Sequence, residues 1–161
     1  MCGIAGNINL QGAPSSVSLL RKMIGTIRHR GPDDDGVYTN GAVGLAHARL
    51  SIIDLAGGHQ PMSIEKEAVS ITFNGEIFNY RELKKRFLQD VHLNSNSDTE
   101  VLLNLYARLG KEALHYLNGF FAFAIYDSER KEIFLARDRY GIKPLHIYTD
   151  DEKIIFASEL K

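Results

Sequence analysis

The sequence predicts an α+β fold in which two sheets of short strands pack face to face and three helices lie outside them. Seven short apolar segments are separated by Gly, Asp and Asn, which is the punctuation of strands. Three other stretches carry apolar residues at helical spacing behind a capping residue. Phe120-Phe121-Ala122-Phe123-Ala124-Ile125 is apolar at every position, so that strand must be covered on both faces. Two stacked sheets with helices outside bury all of these stripes.

In chain order, the first strand is expected over 3–8. From Ser16, residues Leu19, Leu20, Met23, Ile24 and Ile27 fall on one helical face, with Ser16 or Ser18 as N-cap. Strands follow over 42–46 and 69–73. A second helix starts at Asn79, with Glu82 three residues after the capping side chain and Leu83, Phe87 and Leu88 at helical spacing. A third starts at Ser97, where Ser97 and Glu100 form a capping-box pattern ahead of Val101, Leu102, Leu105 and Leu109, and Gly110 supplies the stop. The strand over 120–126 turns through Asp127-Ser128-Glu129-Arg130 into a strand over 132–136, a local antiparallel hairpin. Strands over 145–148 and 154–157 complete the set.

A chain of 161 residues with 44% apolar content reads as one domain, 1–161, with enough core to fold without staples. Its net charge of −1 offers no field for a nucleic-acid backbone or an anionic membrane, and neither is an expected partner. No apolar run approaches the ~18 residues of a membrane span and the start has no secretory pattern, so a cytoplasmic location is expected. One cysteine cannot make an internal disulfide or a thiolate-rich zinc site, and the six histidines form no HExxH or close pair, so no metal is expected. Dinucleotide, P-loop and serine-hydrolase motifs are missing as well.

That cysteine is Cys2. An initiator methionine is normally removed ahead of a small residue, which would leave a thiol and a free α-amine on one terminal residue. The amine, at about 7.7–8.0, can act as base for a thiol at about 8.5; alternatively Cys2 is simply a small second residue. Asn74-Gly75 can converge a side-chain amide and a backbone N–H on one oxyanion, or form a hairpin turn. Arg49, in an otherwise small and apolar stretch, suits a bidentate clamp on a carboxylate or an internal ion pair. Glu76 and Asp98 would add the opposite sign, so that the three could hold an α-amino acid by both ends. The sign change over 28–36 reads as a loop whose Gly-Pro-Asp core is a fixed turn able to support a site.

Taken together, Met1-Cys2-Gly3-Ile4-Ala5-Gly6, Arg28-His29-Arg30-Gly31-Pro32-Asp33, Arg49-Leu50-Ser51-Ile52-Ile53-Asp54, Phe73-Asn74-Gly75-Glu76-Ile77, Ser97-Asp98-Thr99-Glu100 and Arg137-Asp138-Arg139-Tyr140-Gly141-Ile142-Lys143-Pro144-Leu145 resemble the glutaminase domain of class II glutamine amidotransferases. Within that family the chain is most similar to the glutamine-hydrolysing asparagine synthetases, over essentially its whole length; Phe121, Tyr140 and His146 depart from the usual residues. The resemblance implies a four-layer αββα N-terminal-nucleophile hydrolase sandwich. It implies Cys2 as nucleophile, Asn74 and Gly75 as oxyanion hole, and Arg49, Glu76 and Asp98 around the head group of L-glutamine. Leu50 and Ile52 would add backbone contacts, and Arg30 would support the nucleophile from behind. No cofactor is implied for this domain. ATP and magnesium would belong to a synthetase domain that receives the ammonia, and nothing in the chain matches that domain, so it is expected to be missing here. The resemblance also allows a homodimer. Another N-terminal-nucleophile amide hydrolase, or a non-catalytic module of the same fold, are the alternatives.

Overall fold

A computed structural model describes residues 1–50, 58–64 and 68–160. The elements run β1 (Gly3–Asn9), α1 (Val17–Thr26), a 3₁₀ turn (Arg28–Arg30), β2 (Asp34–Asn40), β3 (Val43–Arg49), β4 (Met62–Ile64), β5 (Val69–Ile77), α2 (Tyr80–Phe87), α3 (Asp98–Leu109), a 3₁₀ stretch (Gly110–Tyr116), β6 (Gly119–Asp127), β7 (Glu132–Arg137), β8 (His146–Thr149) and β9 (Lys153–Ala157). The strands form one sheet in the order β2-β3-β1-β9-β8 and another in the order β4-β5-β6-β7. Every pairing is antiparallel.

Side-chain alternation explains the layering. Along β5 and β6, Phe73, Ile77, Phe121, Phe123 and Ile125 point outward into a core with Leu83 of α2 and Val101, Leu102 and Leu105 of α3. The intervening Ala124 and Tyr126 point the other way, against Val43, Leu45 and Phe156 of the facing sheet. Thus β6 is covered on both faces, as its unbroken apolar run requires. On the far side of the other sheet, Leu20, Ile24 and Ile27 of α1 and the turn after it lie on Ala5, Ala46 and Ala48, whose small side chains let the helix approach. The result is helix, sheet, sheet, helix.

Local signals explain most helix ends. Ser16 Oγ accepts from Leu19 N, and Ser97 Oγ accepts from Glu100 N. The Glu100 carboxylate does not close the capping box; it accepts instead from Asn94 N, Ser95 N and Ser95 Oγ, which ties down the approach to α3. Gly110 ends α3 at φ 59°, in the left-handed region that glycine tolerates. Asn79 differs from expectation. Its side chain does not cap α2 but bridges to Tyr116 O and Asn118 N, because those long-range partners take both ends of the amide. Two strands were not foreseen. β2 begins Asp34-Asp35-Gly36, within the stretch expected to be a loop, and is a strand because β3 pairs with its whole length. β4 has only three residues.

One buried polar group between the sheets gives stability a pH dependence. His47 is fully buried, and burial pushes its pKa down to about 4. The unfolded chain, with a histidine near ~6.5, therefore binds the extra proton first as pH falls, so stability is lost between about 6.5 and 4. From pH 7 to pH 4.5 the wild type should lose about 2 kcal/mol more than a His47→Gln variant, compared by urea denaturation. Equal losses would show that His47 does not titrate this way.

Candidate active site

Four elements bring the sequence-predicted residues around one cavity of about 170 Å³. Cys2 precedes β1, Arg49 ends β3 with Leu50 after it, Asn74, Gly75 and Glu76 lie on β5, and Asp98 opens α3. Arg30 does not line the cavity but stands behind it. Ile52 lies outside the described residues.

The nucleophile candidate is held by backbone. Leu50 N lies 3.4 Å from Cys2 Sγ, placed to donate to the sulfur, and the thiol in turn reaches Leu50 O at 3.6 Å. Arg30, with its side chain only 9% exposed, donates from Nε to Cys2 O at 3.0 Å and from Nη1 to Glu159 Oε1 at 2.8 Å. The carbonyl of the residue bearing the thiol is thereby tied to the Arg30–Glu159 ion pair.

The edge of β5 supplies the donors. β4 begins at Met62, which pairs with Ile71, so beyond that pair β5 has no strand on this side among the described residues. Phe73 N donates instead to Gln60 Oε1 at 2.7 Å, and Ile77 N donates to Asp98 Oδ2 at 2.9 Å. In an antiparallel ladder alternate residues direct their N–H groups to the same side. Gly75 N–H therefore points to that open edge, midway between two groups already satisfied. Beside it, Asn74 is 1% exposed, and its Nδ2 has no hydrogen-bond partner among the described residues. A buried amide donor left unpaired at a cavity wall is poised for a ligand oxygen. Asn74 and Gly75 sit in mid-strand opposite Ala122 and Phe121, which excludes the hairpin-turn reading. Only glycine fits at 75, since a Cβ there would lie 2.3 Å from Phe120 O and 2.7 Å from Phe121 Cα.

The cavity carries both signs of charge. Arg49 is 7% exposed and Asp98 5%. Burial raises the Asp98 pKa and the neighbouring Glu76 charge adds to that, against backbone N–H bonds that lower it. A bound cation would relieve this.

The lining also includes residues to which the sequence assigns no site role, among them Gln60, Phe120 and Lys143. Lys143 appears in the quoted 137–145 motif without a role. Its Nζ lies 4.5 Å above the Phe120 ring, and its pKa is lowered by burial and then by Arg30. Asp138 fixes the loop that carries it, accepting from the backbone N–H groups of Phe121, Tyr140, Ile142 and Lys143. Among the described residues no group of three or more His, Cys, Asp or Glu could hold a metal, and no helix is long and apolar enough to cross a membrane.

Two antiparallel sheets packed face to face between helices define the class as a four-layer αββα sandwich. The same fold is seen in the glutamine phosphoribosylpyrophosphate amidotransferase of Bacillus subtilis, at a TM-score of 0.79 and 22% identity over 98% of this chain and 42% of that one. A family model for the glutamine amidotransferase domain matches residues 1–161, and the chain belongs to that family. It is 43% identical to asparagine synthetase [glutamine-hydrolyzing] 1 of Bacillus subtilis and 38% identical to asparagine synthetase B [glutamine-hydrolyzing] of Escherichia coli, in both cases over all of this chain. It spans 26% and 29% of the lengths of those two relatives.

Proposed function

We propose that this domain hydrolyses the side-chain amide of L-glutamine to glutamate and ammonia, with Cys2 as nucleophile once Met1 is removed. The observation that carries the reading is the unpaired, buried Asn74 Nδ2 beside the free-edge Gly75 N–H, in the cavity that Cys2 lines. Met1 is 56% exposed and open to an aminopeptidase. The freed α-amine takes the thiol proton, the sulfur attacks the amide carbon, and the oxyanion falls between Asn74 Nδ2 and Gly75 N–H. The intermediate then collapses, breaking the C–N bond. The protonated amine gives its proton to the departing nitrogen, leaving ammonia and a γ-glutamyl thioester. Water activated by the same amine hydrolyses the thioester to glutamate and returns the thiol. The Arg49 guanidinium matches the α-carboxylate of glutamine, and Glu76 with Asp98 matches its α-ammonium.

The likeness to asparagine synthetases supports the further reading that the ammonia passes to a synthetase domain using ATP and magnesium, in the cytoplasm. The test of the site itself needs neither. The processed chain should release ammonia from glutamine without ATP and much more slowly from asparagine. Arg49→Ala should raise KM by more than tenfold with kcat changed only a few-fold, because the clamp acts alike in ground and transition states. Equal rates on glutamine and asparagine would overturn the substrate assignment.

A further inference from the structure

We propose that His47 and Gln60 are positioning residues that clamp the two peptide groups of Phe73 and so aim the Asn74 and Gly75 donors at the carbonyl under attack; this rests on the glutaminase reading above. The clamp is needed because β4 starts only at Met62, short of Phe73. With Met62 the first residue of β4 and paired with Ile71, Phe73 N–H and C=O face an edge that no strand completes among the described residues, and buried backbone groups require partners. Two side chains from different parts of the chain supply them. Gln60 Oε1 accepts from Phe73 N at 2.7 Å, and His47 Nε2 lies 3.0 Å from Phe73 O. A carbonyl only accepts, so Nε2 carries the proton. The ring is neutral at neutral pH, because burial holds its pKa at about 4.

The Phe73 carbonyl belongs to the peptide bond that begins Asn74. Fixing its plane fixes the direction in which the Asn74 side chain leaves β5 and the path of the backbone into Gly75. The clamp also joins the parts of the site. His47 lies on β3 of the opposite sheet, two residues before Arg49, so the ring ties the strand bearing the arginine to the strand bearing the donors. Thr72 Oγ1 reinforces that tie by donating to Ala46 O at 3.0 Å. Gln60 Nε2 reaches Thr99 Oγ1 at 3.4 Å, next to Asp98, and so anchors the same peptide to the start of α3. All of these groups are buried.

A purely space-filling role does not account for His47. Its Nδ1 is buried with no hydrogen-bond partner among the described residues, a cost that an apolar side chain of similar size avoids. What the imidazole provides and an apolar residue does not is the Nε2–H donor to Phe73 O.

The experiment compares wild type, His47→Met, which removes the donor, and His47→Gln, which places an N–H at similar reach. Turnover of glutamine is measured per active site, with Cys2 titrated by diazo-oxo-norleucine so that only folded, competent protein is counted. His47→Met should lose at least about tenfold in kcat with KM within about threefold of wild type, and His47→Gln should recover most of the loss. Gln60→Leu reads the clamp from its other side and should show the same split; it decides the matter if His47→Met does not fold. Variants that lose thermal stability but keep wild-type kcat and KM per titrated site would overturn the proposal, as would a rise in KM at constant kcat. Wild-type protein with Met1 removed that fails to turn over glutamine would remove the glutaminase reading and this proposal with it.

Discussion

Asn74→Ala should lower kcat for glutamine hydrolysis by about 10²- to 10³-fold while leaving KM nearly unchanged, the size of loss expected when one oxyanion donor is deleted. The loss follows from the state of Nδ2 before substrate arrives. It is buried and makes no hydrogen bond among the described residues, so truncation breaks no bond of Nδ2 in the free protein. An unpaired buried donor costs roughly 1–3 kcal/mol, so the alanine variant should fold at least as well on this account as the wild type. Loss of turnover without loss of stability is the signature of a group placed for the transition state. Asn74→Asp offers a sharper contrast. It keeps the shape but presents an acceptor and a negative charge to a developing oxyanion, and should be at least as inactive. Steady-state kinetics with thermal denaturation on the same samples checks both. A folded Asn74→Ala protein with unchanged kcat would leave the amide without a catalytic part.

What the sequence revealed follows from how local each determinant is. Ser16, Ser97 and Gly110 act within one helical turn, and each does in the structure what its residue type suggests. The run 120–125 announced a doubly covered strand because burial on both faces leaves its mark at every position. β2 stayed hidden because Asp34, Asp35 and Gly36 have no strand character until β3 pairs with them, and β4 because three residues hold no period. Asn74-Gly75 was ambiguous for a different reason. Its local chemistry serves a turn and a donor pair equally well, and the choice is made by β6, whose backbone lies against Gly75. The same division runs through the site. Cys2, Arg49 and Asp98 stand out by residue type and setting. Gln60, Phe120 and Lys143 have ordinary local contexts, and their importance comes only from the chain returning them to the cavity.

The largest effect is expected at the terminus. One residue left ahead of Cys2 should reduce turnover by at least the 10² to 10⁴ that general acid–base catalysis contributes, with the fold intact and the thiol still present. Among the described residues, the sulfur's hydrogen-bond partners are Leu50 N and Leu50 O, neither of which is a base. The histidines nearest to Cys2 and to Arg49 in sequence are both committed. His29 Nε2 is 3.0 Å from Glu159 Oε1 at an exposed position, and His47 Nε2 is spent on Phe73 O while burial keeps its pKa near 4. The α-amine of Cys2 is then the base closest to its own thiol. It exists only after Met1 is removed, because an amide nitrogen has no comparable basicity. The chain that retains Met1 is thus its own negative control, and intact mass tells the two forms apart. Processed and extended proteins should give the same circular dichroism, yet only the processed form should turn over glutamine and take up diazo-oxo-norleucine rapidly. A distant histidine serving as base would be nearly indifferent to the added residue, since neither member of such a pair is altered. Equal turnover by the two forms would therefore refute the terminal amine as proton shuttle.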